Sequence, residues 1–182
     1  MLKLKNNNNE NISANNNYII LVILALLLAL FLRKYIFINA VIPSPSMENT
    51  IMTGDLLFGS KLSYLNKNPE RGDIIIFKYP DGETQKFIKR IIGLPGETIK
   101  IENAKIYVNG KPLKENYLKE TWINATGPYE FQVPKNSYFV LGDNRNNSLD
   151  ARFWNNTYVS KDKILAKAKF VYYPFNHMKI IQ

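Results

Sequence analysis

Three short clusters carry the residues whose types and spacing could do chemistry. The first is Ile42-Pro43-Ser44-Pro45-Ser46-Met47-Glu48-Asn49-Thr50. Its two prolines fix φ and keep the stretch from being helical. In an extended segment Ser44 and Ser46 point to the same side. One hydroxyl could then act as a nucleophile and the other as a donor to a developing oxyanion. Taken alone, the stretch is also ordinary Pro/Ser linker chemistry. The second cluster runs from Lys86 to Glu97, KFIKRIIGLPGE. As a strand, its period of two puts Phe87, Lys89 and Ile91 on one face. Apolar neighbours disfavour the ammonium and lower a lysine pKa, which a lysine base needs near neutral pH. A lysine facing solvent on an edge strand fits the same pattern. The third cluster is Gly142 to Arg152, GDNRNNSLDAR. It is dense in groups that bond their own backbone, so it reads as a tight polar loop. Asp150 and Arg152, with the Ser148 hydroxyl, could orient a neighbouring lysine and neutralise a buried Arg90; a plain turn is the other reading.

Composition narrows the chemistry. The chain has no cysteine and one histidine, His177. That removes thiol nucleophiles, thiolate metal sites, disulfides and any multi-histidine metal site. A histidine-based triad would have to use His177, which sits in no recognisable motif, and no metal or cofactor is expected. The net charge of +9 fits a solvated sheet face first, an anionic membrane surface second and nucleic acid last. The basic residues are scattered rather than run together.

The elements that must hold these clusters follow from the hydropathy pattern. Residues 1–17 are low in complexity, with Asn6 to Asn9 and Asn15 to Asn17, and predict a disordered tail. Tyr18 to Leu32 is an unbroken apolar run. As a helix it spans about 22 Å, short of a hydrocarbon core of about 30 Å. Snorkelling by Arg33 and Lys34, with Tyr35 to Phe37 at the interface, completes an anchor over 18–38. A cleaved leader with Ile38 and Ala40 before the cut is the alternative, and the Arg33-Lys34 pair argues against it. Lys3 and Lys5 before the helix balance Arg33 and Lys34 after it, so charge does not orient the span.

Beyond residue 39 the pattern is short β runs. These are Leu56–Ser60, 73–79, 86–92, Thr98–Glu102, Lys105–Val108, 129–133, 138–141 and Ile164–Tyr173. Asn109-Gly110 between KIYV and KPL predicts a two-residue hairpin turn, because both central positions need positive φ. The domain over 39–182 is therefore mostly β and antiparallel, with a less regular excursion at about 104–134.

Together these features resemble a type I signal peptidase, the bacterial leader-peptide protease. The order is an apolar helix, PSPSMENTI, a strand beginning GDIIIF, then FIKRIIGLPGE, then GDNRNNSLDAR. The resemblance covers roughly residues 40–170. It implies an antiparallel β catalytic core behind a single transmembrane helix, outside the cytoplasm, with the tail inside. It implies Ser46 as nucleophile and Lys89 as general base, with Ser44 and the Ser46 N–H as the oxyanion hole. Ser148 would hold the lysine amine, and Asp150 and Arg152 would form a supporting ionic network with Arg90 as partner. Ile42, Met47, Ile51, Phe87 and Ile88 would surround the substrate pockets, Phe87 packing on the lysine stem. The implied partners are preprotein signal peptides with small residues at −1 and −3 and the lipid bilayer, with no nucleic acid.

Asn146, Ala151 and Asn155 depart from the family's usual Asp, Ser and Gly, which bears on the loop rather than on the Ser46–Lys89 pair. Competing readings are a Ser–Lys protease of another branch, an anchored β-domain that only binds peptides, and a basic nucleic-acid binder. The sequons at Asn124 and Asn155 are frequent by chance in an Asn-rich chain.

Overall fold

The structure, a computed structural model, describes residues 6–123 and 127–181, with side chains from residue 17 onward. The sequon at Asn124 and the first five residues of the expected tail lie outside that range. The chain divides into two compact units, Met1–Phe37 and Ile38–Gln182.

The first unit is a helix, α1, over Asn6–Phe31, continued by a wider π turn at Leu32–Ile36. Asn17–Ile36, 20 residues, is long and apolar enough to cross a membrane, and the fold buries none of it. Twenty helical residues rise about 30 Å, matching a hydrocarbon core. Two expectations are corrected. Residues 6–17 are helical rather than disordered, since an existing helix extends at one hydrogen bond per residue. The span closes at Ile36 rather than residue 38, because Phe37 already opens strand β1 (Phe37–Val41).

In the second unit β2 (Leu56–Ser60), β3 (Ile74–Lys78), β4 (Lys86–Gly93) and β9 (Ser137–Leu141) join β10 (Val159–Ser160) and β11 (Ile164–Tyr173) in the main sheet. The order is β1-β2-β11-β3-β4-β9-β10, with β12 (Lys179–Ile180) also on β11. A smaller sheet holds β5 (Thr98–Glu102), β6 (Lys105–Val108), β7 (Lys111–Pro112) and β8 (Tyr129–Gln132) in the order β7-β6-β5-β8. The pairings from β2 onward are antiparallel in both sheets. The smaller unit thus begins at Thr98, not near residue 104, because β5 leaves the main sheet as soon as the Gly93–Gly96 turn ends β4. Asn109 and Gly110 take φ of 48° and 78°, as the hairpin turn requires.

β3 shows why the middle of the sheet is fixed. Its run of Ile74, Ile75, Ile76 and Phe77 is buried on both faces. Ile75 and Phe77 join a core with Ile91, Phe139 and the smaller sheet's Ile99, Ile101 and Ile106. Ile74 and Ile76 join a second core with Ile42, Met47, Ile51, Leu57 and Ile88. Each such side chain contributes about 1.5–3 kcal/mol on burial. β4 lies between β3 and β9, so it is held on both sides. It carries Lys89 and Arg90 in succession, and alternation sends their side chains to opposite faces.

Candidate active site

Ser46 sits in a single 3-10 turn, Pro45–Met47, entered from an extended Ser44 at φ −130°, ψ 153°. Proline at the first helical position has its φ already set and no N–H to lose. The Glu48 N–H donates to the Pro45 carbonyl at 3.1 Å, and the Thr50 and Ile51 N–H groups to the Met47 carbonyl at 3.1 and 2.7 Å. The segment is therefore a turn rather than the extended stretch expected. It still brings the Ser44 and Ser46 hydroxyls to 3.3 Å. Met47 and Ile51 are fully buried and form the core beneath the turn; they are not on the cleft wall where the resemblance put them.

Lys89 comes from the middle of β4, opposite Ile75. Its Nζ lies 2.8 Å from Ser46 Oγ and 3.1 Å from the Ile88 carbonyl oxygen. The residue is 3% exposed, and Nζ lies 5.5 Å from the Phe87 ring centroid. Burial pulls the ammonium pKa down from 10.5 to about 8; Asp150 and Asp143 oppose that fall, and the Arg152 charge assists it. The contacts suit both protonation states. The ammonium donates to Ser46 Oγ and to the Ile88 carbonyl. The neutral amine can keep the bond to Ile88 and turn its lone pair to the Ser46 O–H.

The third cluster closes over the back of this pair. The Asn144 N–H donates to the Ser46 carbonyl at 3.1 Å, and Asn144 Nδ2 to the Pro45 carbonyl at 3.1 Å. The Gly142 N–H donates to Asp150 Oδ2 at 3.0 Å. Asp150 is fully buried and takes a forked pair from Arg152, Nε at 2.7 Å and Nη2 at 2.9 Å. Gly142 has no room for a side chain: a Cβ there would overlap the Ser46 carbonyl oxygen and Ser148 Oγ, and would lie 2.7 Å from Ser148 Cβ.

Two implied roles are corrected by this geometry. Ser148 is buried beside Gly142, but among the described residues its hydroxyl has no hydrogen-bond partner. The lysine amine is held by Ser46 and Ile88 instead. Arg90 takes Asp143 as its carboxylate partner. On the face of β4 opposite Lys89 it forks onto Asp143, Nε at 2.9 Å and Nη2 at 2.8 Å, and donates to the Gly72 carbonyl at 2.8 Å. The Thr50 hydroxyl donates to the same Asp143 carboxylate. Asp143 and Asn144 were missed as individual residues, although both stand inside the third cluster.

The departures are accommodated. Asn146 Nδ2 donates to Glu120 Oε1 at 3.0 Å and to the Thr121 carbonyl at 2.9 Å. Ala151 is fully buried. Asn155 is not among the residues with positive φ, and its N–H donates to Asp81 Oδ2 at 2.9 Å.

Ser44, Ser46 and Lys89 open into a cleft of about 510 Å³. Ile42, Ile76, Phe87 and Ile88 give it apolar walls, and Asn147 and Leu149 lie at the third cluster's edge. A hydroxyl at hydrogen-bond distance from a buried amine, beside an apolar groove, is suited to nucleophilic attack assisted by a general base.

Comparison with known proteins matches residues 15–173 to the family described as signal peptidase, peptidase S26. This chain belongs to that family. It is 41% identical over 154 residues to the probable signal peptidase I-2 of Synechocystis, covering 82% of this chain and 69% of that protein. It is 40% identical to a signal peptidase I of Leptolyngbya laminosa, covering 84% and 77%. A solved signal peptidase I from Enterococcus faecalis is 34% identical, covering 56% of this chain and 97% of that one, with a TM-score of 0.48. As a member of the signal peptidase family the protein is a serine endopeptidase, and among the described residues its one long apolar helix is consistent with a single-pass membrane protein.

Proposed function

We propose that the protein is a signal peptidase I that removes N-terminal signal peptides from exported preproteins, cutting after small residues at −1 and −3. Ser46 is the nucleophile and Lys89 the general base. The observation that carries this reading is the 2.8 Å contact between Lys89 Nζ and Ser46 Oγ, with burial bringing the lysine pKa to about 8.

The neutral amine accepts the Ser46 proton as Oγ attacks the carbonyl carbon of the −1 residue. Negative charge develops on that carbonyl oxygen. The Ser44 hydroxyl and the Ser46 N–H meet it; removing one such donor typically costs about 10²–10³ in rate. The lysine ammonium returns its proton to the leaving amine of the mature chain. The amine, neutral again, takes a proton from water, whose oxygen attacks the acyl-enzyme and releases the signal peptide.

The −1 and −3 side chains enter the apolar groove by Ile42, Ile76 and Ile88, whose bulk favours small occupants. The anchor holds the cleft at the membrane that retains the substrate, which raises effective concentration. The catalytic domain lies on the extracytoplasmic side, where exported chains emerge.

The test is N-terminal sequencing of a model preprotein after incubation with the anchored enzyme and its Ser46→Ala and Lys89→Ala forms. Cleavage after the small −1 residue by wild type alone supports the reading. Near-normal turnover by Lys89→Ala would overturn the mechanism.

A further inference from the structure

Residues 113–123 run from β7 of the smaller sheet to the loops that hold Ser46. The strap starts with the Leu113 N–H on the Ile106 carbonyl at 2.8 Å. It is then stitched to both catalytic loops. Asn49 Nδ2 donates to the Tyr117 carbonyl at 3.1 Å, and Lys119 Nζ to Glu48 Oε2 at 2.7 Å. The Ile123 N–H donates to Asn146 Oδ1 at 3.0 Å.

One contact differs in kind. Glu115 buries its carboxylate, 6% exposed, against Arg145, 1% exposed. The pair is forked, Nη2 to Oε1 at 2.5 Å and Nη1 to Oε2 at 3.1 Å. The third nitrogen, Arg145 Nε, donates to the Gly142 carbonyl at 2.9 Å. Arg145 thus has one side on the strap and one on the residue that packs against the Ser46 carbonyl and Ser148. The Tyr117 hydroxyl donates to Glu115 Oε1 at 2.6 Å, and its ring lies 4.0 Å from the Arg90 guanidinium carbon.

We propose that Glu115 is a positioning residue for the peptidase reaction: through Arg145 it fixes the Gly142 peptide, and so the seat of the Ser46 turn. The inference rests on the reading of Ser46 and Lys89 given above.

A forked carboxylate–guanidinium pair fixes the plane of the guanidinium, which a single point charge does not. With Nη1 and Nη2 held by Glu115, the direction of Nε is set, and with it the Gly142 carbonyl. The Gly142 N–H is held independently by Asp150. Both ends of this glycine are therefore clamped where it has no room to move toward Ser46. A buried ion pair adds little stability over apolar residues of the same shape. Its geometric effect is the stronger reason for an acid on this strap.

Burial opposes the Arg145 charge, and the Glu115 carboxylate outweighs it, with smaller help from Tyr117 and Asp150. Without Glu115, Asp150 is the acidic side chain left acting on Arg145. Any pull between them loosens the Gly142 N–H as well as its carbonyl.

The experiment compares full-length, anchored wild type with Glu115→Gln, Arg145→Gln and the double variant on one preprotein, measuring kcat and KM separately. Thermal unfolding fixes a temperature at which every form is folded. Glu115→Gln should lower kcat ten- to a hundredfold and leave KM within twofold. The double variant should be no slower than Arg145→Gln alone, since both act through one guanidinium. Glu115→Asp should recover part of kcat. Lys114→Ala, exposed on the same strap, should stay within twofold of wild type.

A kcat for Glu115→Gln within twofold of wild type would overturn the inference. So would a loss confined to KM, a double-variant loss equal to the product of the single losses, or an equal loss in Lys114→Ala. Should Glu115→Gln not fold, Tyr117→Phe removes the hydroxyl that orients Glu115; it should lower kcat severalfold, and an unchanged kcat overturns the inference. Ser46→Ala separates the two claims: if it still turns over, the peptidase reading fails. If it is dead while Glu115→Gln is fast, only the role of Glu115 fails.

Discussion

Adding one methyl group at Gly142 tests how tightly the catalytic loops are seated. A Cβ there would overlap the Ser46 carbonyl oxygen and Ser148 Oγ, and would stand 2.7 Å from Ser148 Cβ, where ordinary contact begins at 3.4 Å. Ser148 or the Ser46 backbone must move by about 1 Å, a displacement that costs on the order of 10²-fold in rate when it misplaces a reacting group. Gly142 cannot retreat, because its N–H is bonded to Asp150 and its carbonyl to Arg145. Gly142→Ala should therefore lower single-turnover cleavage of a preprotein about a hundredfold. Overpacking costs about 1–3 kcal/mol, so the comparison belongs at a temperature where circular dichroism shows both proteins folded. A variant that folds and cuts within threefold of wild type would refute the claim that this glycine sets the position of Ser46.

The pH dependence of kcat/KM should rise tenfold per unit below pH 8 and level off above it, because Lys89, with its pKa lowered to about 8, must be neutral to act. A limb centred near 10.5 would show an amine that burial does not perturb. Stability follows the same group with the sign of a base depressed by folding. Between pH 8 and 10.5 the unfolded chain binds the extra proton, so stability rises with pH across that window, and below pH 8 the cost of the buried ammonium is fully present. Lys89→Met should accordingly be inactive yet more stable at pH 7, by up to ~3 kcal/mol, read as a higher Tm. Asp143→Ala leaves the Arg90 guanidinium buried without its forked partner and should destabilise by about 3–5 kcal/mol in urea unfolding.

The strands that position the site were legible because their periods are clean. Leu56–Ser60, Thr98–Glu102, Lys105–Val108 and Ile164–Tyr173 form with the bounds their residues suggest. Alternation along β4 likewise sets Lys89 on one face with Phe87 and Ile91. What stayed hidden was set by tertiary contact. Pattern made Arg90 a cation near Asp150, but only the sheet decides which face it takes, and that face holds Asp143. Met47 and Ile51 are apolar whether they line a groove or the core below it. Pairs as short as β10 and β12 carry no period to read. Glu115 lies in a strap with no regular structure, and its value comes from an arginine 30 residues away.

The buried position of Lys89 also governs when the protein first becomes dangerous to other chains. Before β4 is enclosed, the lysine has its ordinary pKa of 10.5, and about one amine in three thousand is uncharged at pH 7. The serine it must meet lies 43 residues earlier in the chain and is brought to it only by the finished sheet. A nascent copy is thus harmless by construction. Competence arrives only when the sheet has brought the two side chains together.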